Sequence, residues 1–209
     1  MAKKITLAIV IFVLLIFSGI LITPRKKIVK FFSVNNSIQG EKIDIYFVFS
    51  GGFVKKHMGK STKERVEFLK KLLDKNPETP FVFLDYKGGK QIVSNLLGKR
   101  KNNQSLNSNY RYNEHLGGTE NNVLELISIL KTHPEFKKIG IVTSLYHEKR
   151  IKLILDYHIK QENLTDVKVY FLHDSTHQEI YTCSFFRYLK LIMHELGGIL
   201  YFKLRTIFN

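Results

Sequence analysis

Lys138-Ile139-Gly140-Ile141-Val142-Thr143-Ser144-Leu145-Tyr146-His147-Glu148-Lys149-Arg150 (KIGIVTSLYHEKR) is the stretch on which the fold turns. Residues 138–142 form a short apolar run with β-branched residues, which predicts a buried strand. Beyond the polar break at Thr143-Ser144, the residues Ile151, Leu153, Ile154 and Leu155 recur on a helix. A strand that feeds a helix through two hydroxyls, an imidazole and a guanidinium has the inventory of an active site. His147 has the chemistry of a general acid/base or of a hydrogen-bond donor to a phosphate, and Arg150 that of a bidentate anion ligand or a partner for a nearby acid. The structural alternative leaves Thr143 and Ser144 as helix caps with His147 and Arg150 in solvent.

Moving outward, the same unit recurs. Residues 44–49 (DIYFVF) predict a strand that ends at Ser50-Gly51-Gly52. Ser61 and Glu64 have capping-box spacing, and Val66, Leu69, Leu72 and Leu73 follow at helical intervals. Residues 80–84 (PFVFL) predict a second strand, with Gly88-Gly89 leading into a helix carrying Ile92, Val93, Leu96 and Leu97. Residues 99–113 are polar and rich in Asn, a long surface excursion. Thr119 is placed to cap a helix carrying Val123, Leu124, Leu126, Ile127 and Leu130, with Glu120 at the positive end of its dipole. Residues 167–172 complete the strands. Alternation of this kind implies a Rossmann-like, three-layer α/β fold: a parallel sheet of at least four strands with right-handed crossovers and helices on both faces. The apolar segment 185–208 is read as a C-terminal helix. Arg187, Lys190, His194 and Glu195 interrupt it too often for a membrane span, so it is expected to pack on the sheet, or otherwise to lie on a membrane surface.

Twenty residues, 5–24, carry no charge. At about 1.5 Å per residue a helix of that length matches a bilayer's hydrocarbon core of roughly 30 Å. Its end at Leu21-Ile22-Thr23-Pro24 lacks a small-residue cleavage site, so residues 1–24 are read as an uncleaved transmembrane signal-anchor whose partner is the lipid bilayer. Residues 25–41 are then a basic and polar linker, and residues 42–209 the α/β domain. Counting cations on either side of the span slightly favours a cytoplasmic body.

Net charge is +15, from 33 Lys and Arg against 18 Asp and Glu. Six of the cations and none of the acids fall in residues 1–30, so the rest of the chain still carries +9. That field suits anionic small molecules, acidic lipids and cell-wall polymers, although lysine-rich composition alone would also produce it. No DNA-recognition motif accompanies the charge, so a nucleic acid polymer is not expected as a partner. Cys183 is the only cysteine, which excludes an intramolecular disulfide and a Cys-based metal site; no metal is expected. The glycine pairs match neither a dinucleotide fingerprint nor a P-loop, so the cofactor is left open.

The order of Gly51-Gly52, Arg65, Gly88-Gly89, "GTENN" at 118–122 and "VTSLYHEKR" at 142–150 resembles the SanA/YdcF/ElyC-like family of bacterial envelope proteins. The likeness covers roughly residues 44–172 and is most specific at Thr143, Ser144, His147 and Arg150. It departs from the family pattern at Gly118, at Asn121, where the family has a glutamate, at Tyr86-Lys87 and around Glu114. Asp85 and Glu120 are the carboxylates available in its place. The resemblance implies a Rossmann-like domain behind an N-terminal membrane segment, an extracytoplasmic body and a role in cell-envelope and peptidoglycan biogenesis. The expected site has His147 and Ser144 as catalytic residues and Gly51, Gly52, Arg65, Gly88, Gly89, Thr119, Asn122, Thr143 and Arg150 as ligand-binding residues. Its ligand would be an anionic small molecule or a lipid-linked glycan, with hydrolase or transferase chemistry. The alternatives are a non-catalytic sensor or scaffold and a nucleotide or adenosyl-cofactor domain. All of these expect Gly52, Thr119, Ser144 and His147 to share one rim of the sheet.

Overall fold

The computed structural model describes residues 18–20, 22–34, 41–51, 53–54, 57–85, 93, 97, 110–111, 113–174 and 179–208. Strands β1 (Ile45–Phe49), β4 (Phe81–Leu84), β5 (Lys138–Val142) and β6 (Lys168–Leu172) form one sheet in the order β4-β1-β5-β6. Every pairing is parallel, with Phe47 opposite both Val82 and Ile141. The runs contain Ile, Val, Phe and Tyr because both faces are covered: all five residues of β1 and all four of β4 are buried. Two strands, β2 (Phe53–Val54) and β3 (His57–Met58), make a small antiparallel hairpin after β1 that the sequence reading did not anticipate.

Alternate residues of each strand serve opposite cores, as the pleat requires. Ile45, Phe47 and Phe49 join Val82, Leu84, Ile139 and Ile141 beneath helices α3 (Gly118–Thr132) and α4 (Glu148–Gln161). Tyr46 and Val48 join Phe81 and Phe83 beneath α2 (Lys60–Lys75), through Val66, Leu69 and Leu73. Val93 and Leu97, the described residues of the helix expected after the second glycine pair, are helical and buried on this second face. Leu126 is fully buried, so its truncation to alanine would cost about 2–5 kcal/mol. The sheet is thus three-layered, and its order reverses direction beside β1. That places a switch-point crevice between the carboxyl ends of β1 and β5.

Several local expectations are corrected. Residues 25–32, assigned to a linker, form helix α1 (Arg25–Phe32), and its Val29 and Phe32 are buried with Ile20, Tyr188 and Ile192. The basic composition concealed two apolar residues at helical spacing. Ser61 does not cap α2: Gly59 holds that position, and Ser61 bonds instead to Tyr146 and Glu179. Gly117, not Thr119, is the N-cap of α3. The C-terminal helix α6 (Phe185–Phe208), preceded by the short α5 (Glu179–Thr182), packs mainly on α4 and the 3-10 turn Leu145–His147 rather than on the sheet. Among the described residues no helix is long and apolar enough to cross a membrane, which leaves the predicted span without structural support. Residues 5–17 and 21 of that span lie outside the described residues, as do 35–40 of the linker and 99–109 and 112 of the excursion.

Candidate functional site

Three elements converge at the carboxyl ends of the strands. The start of α2 faces the crevice after β1, the 3-10 turn follows β5, and α6 crosses above. Between them lies a cavity of about 470 Å³. The loop after β1 contributes Ser50 and Gly51, and the start of α3 contributes Gly117, Gly118, Thr119, Glu120 and Asn122. Tyr146, His147 and Arg150 enter from the turn and α4, while Leu191, His194, Glu195, Gly198, Tyr201 and Phe202 close it from α6.

The crevice between β1 and β5 is filled by a side chain. Arg65 extends from the second turn of α2, donating from Nη1 to the Phe49 carbonyl at 2.7 Å and from Nε and Nη2 to Ser144 Oγ at 3.1 and 3.0 Å. Burial pushes its pKa down, while the fields of Tyr146 and Glu195 hold it up. Arg65 therefore ties the two central strand ends together, and Ser144 acts as its acceptor. No bond joins Ser144 Oγ to His147; their link is through the backbone, where the His147 N–H donates to the Ser144 carbonyl at 2.8 Å. Ser144 lies outside the large cavity, beside a much smaller void that it shares with Thr143. Ser144, expected as a catalytic hydroxyl, and Thr143, expected as a ligand contact, are thus not among the residues lining the large cavity, and the serine oxygen accepts from Arg65.

His147 is organised by a residue that the sequence reading did not select. Glu195 Oε2 lies 2.9 Å from His147 Nδ1. Arg150 Nη2 donates to Glu195 Oε1 at 3.1 Å, and its Nε lies 3.0 Å from Oε2 without the alignment of a hydrogen bond. Arg150 Nη2 also approaches His147 Nδ1 at 3.1 Å. A single ring nitrogen does not donate to a carboxylate and accept from a guanidinium at once. Donation from Nδ1 to Glu195 satisfies both charges, and it makes Nε2 the acceptor of the neutral ring. Burial is the largest influence on the imidazole and, with Arg150 adding to it against the pull of Glu195, lowers its pKa from 6.5 to about 4. Burial alone would raise Glu195, but His147 and Arg150 outweigh it and hold the carboxylate below its usual value. At neutral pH the set is a neutral imidazole beside a Glu195–Arg150 ion pair, a base positioned by a carboxylate.

Gly198 makes this packing possible. A Cβ built there would lie 2.5 Å from Arg150 Nη1 and 2.6 Å from its Cδ, so α6 passes over the guanidinium only where it lacks a side chain. The sequence held two signals for this part of the site: a glutamate inside an apolar helix, which burial obliges to pair, and a glycine pair in mid-helix, which marks a close approach.

The start of α3 is the second functional feature. No side chain caps it, and nothing lies within 4 Å of a Cβ built at Gly117 or Gly118, so the first N–H groups are open to the cavity. Asn122 donates to the Leu84 carbonyl at 3.4 Å, and its buried Oδ1 has no partner. Asn121 is fully buried and shapes the preceding loop: its Oδ1 accepts from Tyr110 and the Asn113 N–H, and its Nδ2 donates to the carbonyls of Asn113 and Leu116. Glu120 is bonded to His158 and Arg205.

Gly51, Arg65, Thr119, Asn122, His147 and Arg150 therefore line one cavity, while Ser144 and Thr143 lie beneath it. Gly51 is not a free anion donor, because its N–H donates to Thr62 Oγ1 at 2.9 Å; a Cβ there would lie 2.7 Å from that of Ser61. Gly52, Gly88 and Gly89 lie outside the described residues. Among the described lining residues, two cations, Arg65 and Arg150, meet three acids, Asp85, Glu120 and Glu195, so the lining does not share the basic excess of the chain. Among the described residues no group of His, Cys, Asp and Glu is arranged to hold a metal.

Fold and cavity define an α/β protein with a parallel four-stranded sheet and a polar pocket at its carboxyl rim. No protein-family model, curated protein or solved structure matches the chain.

Proposed function

We propose that this chain is a membrane-anchored cell-envelope protein of the SanA/YdcF/ElyC-like, Rossmann-like type. Its cavity takes a ligand with one anionic group and several hydroxyls, such as a lipid-linked glycan or a phosphorylated small molecule. The observation that carries the reading is the pairing, in one cavity, of an uncapped helix start with a histidine positioned by Glu195. The N–H groups of α3 suit the anion, and the unpartnered Asn122 Oδ1 suits a ligand hydroxyl. His147 then moves a proton in hydrolysis or transfer, with Arg150 and Glu195 holding its orientation. Ile154, Leu191, Tyr201 and Phe202 give one wall an apolar surface fit for a sugar face or an isoprenoid. The anchor rests on the uncharged residues 5–24, and the placing of the body outside the plasma membrane rests on the family resemblance.

A non-catalytic sensor or scaffold would use the same cavity without proton transfer. The nucleotide or adenosyl reading draws on the switch-point crevice, where such ligands sit in doubly wound sheets. Arg65 occupies that crevice here, which favours the glycan or phosphate reading.

Thermal unfolding of the full chain with polyprenyl phosphates, nucleotides and adenosyl cofactors tests the ligand class. A true ligand at 100 times its dissociation constant adds about 2.7 kcal/mol. A midpoint raised by polyprenyl phosphate supports the proposal, and one raised only by nucleotides replaces it. Complementation of an envelope-defective strain then separates catalysis from scaffolding: full function in His147→Ala would rule out proton transfer.

A further inference from the structure

We infer that the outward face of α6 lies in the head-group layer of an anionic bilayer, so that the helix forming one wall of the cavity is also the helix that touches lipid. This rests on the membrane-anchored reading above. α6 carries two apolar faces. Tyr188, Ile192 and Phe202 point inward and are buried. Phe186, Leu200, Leu204 and Ile207 point outward, at 81, 59, 46 and 72% exposure, and recur with Met193 and Gly197 at intervals of three, four and seven. Met193 is half-buried against the core and Gly197 has no side chain, so the exposed apolar residues gather at the two ends of this 24-residue helix, roughly 36 Å long, more of them than the scattered apolar exposure of an ordinary surface.

Charge identifies the occupant. Lys190 and Lys203 flank this face, Arg187 lies nearby, and the only acid of α6, Glu195, is buried at 2% exposure. Helix α1 repeats the pattern, with Lys26, Lys27 and Lys30 exposed beside Phe31 and no acid in the helix. The two basic helices belong to one surface: Arg25 donates to the Cys183 carbonyl at 2.9 Å and lies 4.7 Å from the Tyr188 ring centre. The uncharged residues 5–24 thus end beside the start of α6. An apolar face edged by lysines without acids is the surface that enters an anionic interface while its ammonium groups reach the head groups. No described helix is long and apolar enough to cross the bilayer, which leaves α6 lying along it. Leu191, Glu195 and Phe202 line the cavity from the opposite face of the same helix.

The test places an environment-sensitive fluorophore at Leu204→Cys, or at Lys152→Cys on exposed α4, in the full chain carrying Cys183→Ser. The chain is reconstituted in phosphatidylcholine–phosphatidylglycerol vesicles with and without brominated acyl chains. The expected result is a several-fold loss of emission at position 204 from brominated lipid and none at 152. Lys190→Glu with Lys203→Glu, or vesicles of phosphatidylcholine alone, should reduce that loss. Equal quenching of both positions by aqueous iodide, with none by lipid, would overturn the inference. Spin–spin coupling between nitroxides at position 204 would assign the face to a second copy. Shielding of position 204 from both iodide and lipid would assign it to a cover within the chain; either result also overturns the proposal. Failure of the chain to float with the vesicles rejects the anchored reading together with this one, whereas flotation with a lipid-free position 204 rejects this one alone.

Discussion

Two glutamates line the cavity, and each is held by a histidine and an arginine. Glu195 of α6 meets His147 and Arg150, and Glu120 of α3 meets His158 and Arg205. The residue types are the same, but the surroundings differ. Side-chain exposures are 3, 9 and 11% for Glu195, His147 and Arg150, against 6, 15 and 23% for Glu120, His158 and Arg205. The drier set draws the His147 pKa to about 4, whereas the wetter one serves to pin the end of α6 to α3. Desolvation, rather than composition, makes one trio a candidate for chemistry and the other a clasp.

The comparison breaks most visibly at Glu195. Glu195→Gln leaves Arg150 buried without its countercharge, and urea denaturation should show a loss of about 3–5 kcal/mol. A loss below 1 kcal/mol would mean that the pair is wetter than its geometry indicates.

Acid sharpens the contrast. His147 binds its proton more weakly folded than unfolded, so the unfolded chain takes up more protons between pH 6.5 and about 4. Stability should therefore fall as pH falls through that window, by about 3 kcal/mol at roughly 1.4 kcal/mol per unit. Glu195, whose folded pKa is depressed, adds a further loss below the usual glutamate range. In His147→Gln the first slope should flatten.

Gly198→Ala places a methyl group against Arg150 and should cost about 1–3 kcal/mol, read by the same denaturation. It should also weaken any ligand-induced rise in melting temperature. Arg205→Ala is expected to have the smallest effect, about 1 kcal/mol, because its pairing with Glu120 is partly exposed.

The sheet was legible because its signals are local. The apolar runs at 44–49, 80–84, 138–142 and 167–172 each become a strand to within one residue. Gly51, Thr119, His147 and Arg150 were also legible, since each lies where a strand or loop gives way to a helix, whereas Arg65 and Asn122 were named only through the family resemblance; all six line the cavity. Glu195 was not: it lies 48 residues beyond His147, and in sequence it reads only as an interruption of an apolar helix. Ser144 was assigned to chemistry because the string cannot reveal that Arg65, 79 residues earlier, uses its oxygen. Long-range partnership, which one sequence does not encode locally, decides which polar residues face the cavity.

The most direct test is a histidine NMR titration of the full chain in detergent micelles, with and without farnesyl phosphate. The account predicts that the neutral His147 ring carries its proton on Nδ1 and titrates near pH 4, and that the phosphate raises its midpoint. A midpoint at the ordinary value of about 6.5, unmoved by the phosphate, would contradict it.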